Sequence, residues 1–157
     1  MSKYFGFIPL SEAKAYLRVE HDESDVEIGQ MLDAACNLVE EKTCVLLYAR
    51  DKIYRLRNQC VHIYDGPINT EGITGLPETM SRYDFSNYTV FQDSNVENTT
   101  FTLNVGHSDS EEVPFSLRQA VLQMLDYWYY KNDGKVSMTL LDSGAMEAIN
   151  TYSRFLI

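Results

Sequence analysis

A proline-led segment with strict helical periodicity constrains the fold of this chain most. Pro114 suits the first turn of a helix, because its fixed φ and missing N–H cost nothing at that position. Behind it, one apolar stripe recurs at steps of three and four residues: Leu117, Ala120, Val121, Met124, Leu125 and Trp128. Asn132-Asp133-Gly134 ends the pattern, since glycine accepts the left-handed backbone of a helix end. This spacing predicts a core helix that other helices must cover.

Three further segments have helical patterns, two near the N-terminus and one near the C-terminus. Ser11 can cap a short helix from Glu12 to about Val19. A second apolar stripe predicts a helix from about Asp25 to Thr43, and a weaker pattern predicts one from about Ser143 to Phe155. Helices are therefore expected on both sides of a non-helical middle.

The middle of the chain consists of short stretches rich in β-branched and aromatic residues. This composition is typical of strands. The predicted strands are Val45–Tyr48, Ile53–Leu56, Val61–Tyr64, Thr89–Phe91 and Thr100–Val105. Gly72, Gly75 and Pro77 disfavour regular structure between the third and fourth of them.

We predict an α+β fold that is mainly α and forms one domain over residues 1–157. A bundle of about four helices, at about 12–43 and 114–155, carries a small inserted antiparallel β-sheet with long polar loops at about 45–105. A chain of 157 residues is long enough for one compact core of this kind.

The charge of the chain limits its partners. It has 13 basic and 23 acidic residues, which gives a formal net charge of -10. Such a surface does not neutralise phosphates by counterion release, so direct DNA binding is disfavoured. Residues 61–112 hold nine acids against one base, Arg82. This acidic middle is typical of a solvated loop region, and the alternative is a negative lining that repels polyanions.

The cysteines and the apolar pattern indicate where the chain is made. Cys36, Cys44 and Cys60 form no CxxC pair, and free thiols are typical of a reducing compartment. The N-terminal residues lack the apolar core of a signal peptide, and no apolar run approaches the ~18 residues that a membrane helix needs. We expect a soluble, intracellularly made protein that has no membrane partner.

No residue pattern points to catalysis or to a bound cofactor. The three histidines lie far apart. Asp93–Glu97 resembles the start of a calcium loop but has Asn98 where that loop needs glycine, so we expect a solvated loop there. Paired acids such as Glu111 and Glu112 lie on a polar stretch that offers no pocket for acid–base chemistry. We predict no catalytic, cofactor-binding or metal site and no enzyme activity, with an acidic hydrolase as the remote alternative.

A small basic cluster is a candidate contact between copies of the chain. Arg55 and Arg57 lie on one face if their stretch is a strand. They could meet the acidic middle of a neighbouring copy in a head-to-tail interface that closes into a ring, and the alternative is a solvated strand face.

Aromatic and apolar residues near the C-terminus provide a second candidate contact. Tyr127, Tyr129 and Tyr130 surround Trp128, so at least one ring must leave the core stripe, and exposed aromatic residues favour interfaces. The end Phe155-Leu156-Ile157 adds apolar surface. The three tyrosines join the two arginines as predicted subunit-interface residues.

Three parts of the sequence, which together span nearly the whole chain, resemble the head-tail connector proteins of tailed bacteriophages. Ser11-Glu12-Ala13-Lys14-Ala15-Tyr16-Leu17-Arg18-Val19, followed by His21-Asp22-Glu23-Ser24-Asp25, resembles the opening of that family. Phe101–Gly106 leading to Val113-Pro114-Phe115-Ser116-Leu117-Arg118-Gln119-Ala120-Val121 resembles its strand, polar loop and helix. Tyr152-Ser153-Arg154 resembles its closing region.

The resemblance implies a non-catalytic virion protein of the neck, assembled in the host bacterial cytoplasm. It would form a ring, of twelve copies, beneath the portal protein and bind a tail-completion or tail-terminator protein on its other side. Genome DNA would pass through without specific binding. A tail-terminator or another neck or tail-completion ring protein is the alternative.

The resemblance also implies that the C-terminal segment, about Ser143 to Ile157, docks on the portal. The implied docking residues are Tyr152, Arg154, Phe155, Leu156 and Ile157. The long acidic stretch 65–100 departs from the commoner pattern of the family. If it lines the channel, its negative charge lets DNA slide without being held.

Overall fold

The computed structural model describes residues 7–57, 59–85, 88–94, 98–131 and 140–152. In chain order the elements are α1 (Leu10–Leu17), α2 (Asp25–Thr43), β1 (Arg50–Arg55), β2 (Cys60–Ile63), β3 (Ile68–Thr74), β4 (Ser81–Asp84), β5 (Thr89–Gln92), β6 (Thr100–Val105), a 3-10 turn (Ser110–Glu112), α3 (Phe115–Lys131) and α4 (Ala145–Tyr152). More of these residues are helical than extended, so the predicted α+β, mainly α class is confirmed.

The helices pack on one another around an apolar core, and their starts differ slightly from the prediction. α2 has the predicted bounds, but α1 begins two residues early, because the Pro9 carbonyl rather than the Ser11 side chain accepts the first amide bonds. Pro114 immediately precedes α3, and its carbonyl accepts the N–H of Leu117 at 2.9 Å. Core residues without solvent exposure include Leu17, Ile28, Leu32, Val39, Leu117, Val121, Met124 and Leu125.

The described strands form two three-stranded antiparallel sheets, which corrects the single sheet that we predicted. The first sheet has the order β1-β6-β3 and the second has the order β2-β5-β4. β3 and β4 were not predicted, because Gly72 and Pro77 favour irregular structure. β3 is nevertheless held by pairing with β6, with a register shift between Asn69 and Thr74 in the stretch that contains Gly72. Both sheets contribute to a second apolar core that includes Leu56, Ile63, Phe91, Phe101, Leu103 and Val105.

The predicted strand at Val45–Tyr48 is wrong, although its alternation of side chains is real. Val45 and Leu47 are buried in the helical core, whereas Leu46 between them is buried in the β core. Its backbone does not join either sheet: the N–H of Leu46 donates to the carbonyl of Asp65 at 2.9 Å. This three-residue segment therefore connects the two cores.

An ion pair and a close backbone contact hold the junction between the helical core and the β core. Arg50 at the start of β1 binds the Glu40 carboxylate of α2 through both terminal nitrogens, at 3.2 and 2.9 Å, and the N–H of Leu47 donates to that carboxylate at 2.9 Å. Gly106, after β6, lies against the backbone of Tyr48. The β part is thereby held in a defined orientation to the helices.

Candidate assembly surfaces

Some ionisable groups in the described part of the chain make structural contacts, and others lie exposed. Glu111 and Glu112 lie exposed on the 3-10 turn. The Tyr54 hydroxyl donates to the Asp65 carboxylate, and burial, reinforced by that bond, raises the pKa of Tyr54 well above its usual range. Lys52 binds the same carboxylate at 2.5 Å. Within these residues no acids, histidines or cysteines gather into a cluster that could hold a metal ion.

Asp93 corrects one expectation from the sequence. We expected the loop at Asp93–Glu97 to be solvated, but the Asp93 side chain is buried and accepts a hydrogen bond from the Thr79 hydroxyl. Its N–H also donates to the Gln59 carbonyl at 3.0 Å. Asp93 therefore stabilises the loops around the second sheet.

The acidic middle is less uniform than its composition suggests. Asp84 lies 2.9 Å from Arg82 and accepts a bond from Thr89, and these contacts lower the pKa of its carboxyl. Asp109 caps the 3-10 turn through the N–H of Glu111 at 3.1 Å. Several of these acids therefore also order the loops.

The segments that carry the family resemblance meet in the structure. Arg118 of α3 binds Glu12 of α1 through two nitrogens, and its guanidinium lies 5.7 Å from the centre of the Phe7 ring. The hydrogen bonds to Glu12 raise the pKa of Arg118. Lys14 bridges Asp22 and Asp25 at 2.6 and 2.7 Å, which ties α1 to the start of α2. Five charged residues of the motifs therefore form contacts within one chain: Glu12, Lys14, Asp22, Asp25 and Arg118.

Replacing Arg118 with methionine tests the Arg118–Glu12 joint. We expect a loss of about 1 kcal/mol in the free energy of unfolding, because the pair is bidentate but partly exposed. The matched variant Arg55→Met removes an exposed arginine for which the described residues offer no ion pair, and it should cost less than about 0.5 kcal/mol. Urea unfolding of both variants measures the difference. Equal losses in the free energy of unfolding would show that the Arg118–Glu12 pair does not stabilise the chain.

The three tyrosines of the predicted interface differ in exposure. Tyr127 is 6% exposed; its hydroxyl donates to Asp142 at 3.2 Å and Lys131 lies over its ring, so this side chain is not available to a partner. Tyr129 is half-buried and meets Tyr130 edge to face, with ring centroids 5.1 Å apart. Tyr130 is 60% exposed, as expected for a ring that leaves the stripe, and its hydroxyl donates to the Leu17 carbonyl.

A groove of about 400 Å³ separates α3 from α4. Phe115, which is 77% exposed, and Tyr152 both line it. The rest of the predicted docking set, Arg154, Phe155, Leu156 and Ile157, lies outside the described residues. Ala145 and Ile149 on the other face of α4 are buried in the helical core, so much of the segment 143–157 is structural.

Arg55 and Arg57 are both exposed and flank the fully buried Leu56. Strand alternation therefore points both guanidinium groups away from the β core, as the sequence predicted. Arg57 forms an isolated antiparallel bridge with Cys60, which is the first residue of β2. The two cations thus lie beside one end of the second sheet.

Sequence reasoning missed an aromatic face on the outside of that sheet. His62 and Tyr83 flank Val90 across the strands, and rings at the strand ends continue the same face. Phe85 stacks on Tyr88 at 4.7 Å, and Tyr64 lies 5.4 Å from Tyr88. We call His62, Tyr64, Tyr83, Phe85 and Tyr88 the aromatic face. Alternation around buried Ile63 was a visible signal for two of its members.

No helix in the described part of the chain is long and apolar enough to cross a membrane. Neither a protein-family model nor a curated protein matches the sequence.

Three solved structures with a similar fold come from gene transfer agent particles. A chain from the neck of an empty GTA particle, computed with C6 symmetry, has a TM-score of 0.76 at 16% identity and covers 96% of this chain and 91% of its own. A chain from the virion of a native gene transfer agent (GTA) particle has a TM-score of 0.75 at 15% identity, covering 100% and 94%.

A third similar chain comes from the neck of the native GTA particle, computed with C12 symmetry. It has a TM-score of 0.67 at 17% identity and covers 96% of this chain and 93% of its own. This chain therefore shares the fold of chains found in the neck and virion of gene transfer agent particles.

Proposed function

We propose that this protein is a structural component of a phage-like virion neck, where it forms a ring beneath the portal, joins head to tail and continues the DNA channel. The likeness of fold to neck chains over 96% of this sequence is the observation that supports this most. The likeness includes the helical and β parts together. Assembly would take place in the host bacterial cytoplasm.

The symmetry of the similar particles supports a cyclic homo-oligomer. The two necks were computed with C6 and C12 symmetry, and we propose twelve copies for this ring. A ring of identical subunits requires two different patches on each copy that fit one another. Arg55, Arg57, Tyr129 and Tyr130 remain the proposed subunit contacts, while buried Tyr127 is no longer one of them.

The acidity of the chain fits a conduit through which DNA slides. A subunit with a net charge of -10 repels phosphates, and this repulsion reaches about 8 Å at physiological salt. Genome DNA would therefore pass through the ring without specific binding.

We propose that the C-terminal end docks on the portal. Tyr152 lines the α3–α4 groove beside exposed Phe115, so the chain leaves α4 next to a solvent-facing aromatic surface. The proposed docking residues are Tyr152, Arg154, Phe155, Leu156 and Ile157. The opposite, β end would meet the tail-completion or tail-terminator protein.

Removing residues 153–157 tests the docking proposal. We expect a thermal midpoint close to that of the full chain, because the deletion leaves α4 intact, and at least a tenfold loss of binding to portal-bearing heads, which is about 1.4 kcal/mol. Deleting 143–157 is not suitable, since it removes Ala145 and Ile149 from the core. Binding is measured by co-sedimentation with the heads.

The matched control replaces exposed Leu141, away from the groove lining, with serine, and it should bind like the full chain. Normal binding by the 153–157 deletion would show that docking lies elsewhere. Electron microscopy of the loaded heads then distinguishes a ring against the portal from a tail-terminator ring at the tail end.

A further inference from the structure

We propose that the ring closes through a head-to-tail contact in which Arg55 and Arg57 of one copy bind the aromatic face of the next copy. This inference rests on the ring assembly proposed above and assigns its two complementary patches. The occupant of the aromatic face is thus a second copy of this chain.

The aromatic face is exposed where a partner could use it. Tyr83 is 50% exposed and Phe85 is 53% exposed. Phe85 belongs to a cluster of four rings with His62, Tyr64 and Tyr88, and Tyr83 lies on the same face of the sheet. Exposed aromatic clusters of this kind are typical of protein interfaces. An arginine guanidinium stacks well on such rings.

The charges around the two patches are complementary. The aromatic face lies in the stretch 61–112, which holds nine acids against one base, and that base, Arg82, already pairs with Asp84. Arg55 and Arg57 are exposed cations for which the described residues provide no ion pair. An incoming arginine therefore meets aromatic rings and excess negative charge, and the one base of that stretch is already paired.

The two patches lie towards opposite ends of the second sheet, which favours a contact between copies. Arg57 pairs with Cys60, whose register partner is Gln92, at one end of the second sheet. Tyr64, Phe85 and Tyr88 follow the other strand ends, where Ile63 pairs with Thr89. Four residues of strand separate the ends by about 13 Å. Two different patches at opposite ends of one sheet produce a heterologous contact, which closes into a ring or extends into a filament.

A mixing experiment with two complementary variants tests the contact. The first variant, R55E/R57E, lacks the basic end, and the second, Y83S/F85S, lacks the most exposed rings of the aromatic face. Each retains one intact patch. Sedimentation velocity of the full-length wild type, of each variant and of their 1:1 mixture is measured over a range of concentrations, at low and high salt.

We expect the wild type to associate with rising concentration and each variant alone to associate at least about tenfold more weakly. The mixture should form a dimer and no larger species, because the intact aromatic face of R55E/R57E binds the intact arginines of Y83S/F85S. The dimer should weaken as salt rises, since exposed charges are screened. The controls Arg18→Glu and Val26→Ser change an exposed arginine and an exposed apolar side chain elsewhere, and both should associate like the wild type.

Three results would overturn the contact: variants that associate like the wild type, a mixture that stays monomeric while the wild type associates, or a wild type that is monomeric under every condition. Uptake of the same variants by portal-bearing heads separates the two proposals. If the heads take up the variants and the variants form a ring there, the proposed neck function stands and this contact is wrong. Heads that never take up the wild type reject the neck function itself.

Discussion

Replacing Gly106 with alanine should lower the free energy of unfolding by about 4 kcal/mol, which is a large effect for one methyl group. Gly106 has φ +112°, a conformation that side chains disfavour, and an added Cβ would lie 2.5 Å from the Tyr48 carbonyl oxygen. That oxygen belongs to backbone at the junction of the two cores, where the N–H of Ala49 donates to the carbonyl of His107 at 2.7 Å. The clash therefore displaces the junction itself. Urea unfolding followed by circular dichroism measures the loss.

Gly66→Ala is the matched control for this prediction. Gly66 has a similar φ of +124°, but an added Cβ would come no nearer than 3.7 Å to other atoms. Gly66→Ala should therefore lower the free energy of unfolding by only about 2 kcal/mol, which is the cost of a side chain at this φ. If Gly66→Ala cost as much as Gly106→Ala, the close approach to Tyr48 would not be the cause.

Replacing Glu40 with alanine should cost about 3 kcal/mol. The carboxylate is 7% exposed, and its loss leaves both the Arg50 guanidinium and the buried N–H of Leu47 without this acceptor. The same contacts join α2 to β1, so the variant should also loosen the β part. Hydrogen exchange of the β1 and β6 amides, together with urea unfolding, measures both effects.

The neighbouring residue provides the control for Glu40. Glu41 is 74% exposed at its side chain and lies 3.8 Å from Lys42, so Glu41→Ala should change stability by less than about 0.5 kcal/mol. Comparable costs for the two variants would show that the Glu40–Arg50 pair does not hold the junction. In a ring, a loosened junction would also misplace the basic and aromatic patches relative to the helices.

Local pattern predicted the elements whose side chains have a clear periodicity. The stripe of α2 extends over several turns, and its predicted bounds at Asp25 and Thr43 match the structure. β6 was predicted with its observed bounds, Thr100–Val105, because its alternating residues give a clear period of two. β3 was missed, since its residues 68–74 contain a glycine and the strand depends on pairing with β6.

For the candidate surfaces, too, local pattern predicted only part of what the structure shows. Alternation correctly predicted that Arg55 and Arg57 share an outward side, and helical spacing correctly required one exposed ring among the tyrosines. Spacing could not show that Lys131 and Asp142 surround Tyr127. That the exposed arginines and tyrosines contribute to a ring stays a prediction.

The sequence by itself determined the helices, most strands and the sides of the chain that face inward, because side-chain periodicity encodes burial over short distances. Only the tertiary structure decided how the parts meet. The Arg118–Glu12 joint spans 106 residues and the Glu40–Arg50 pair crosses from helix to sheet. The aromatic face likewise unites three strand ends. Such contacts follow from chain packing, in which residues distant along the sequence become neighbours, and no local pattern records that choice.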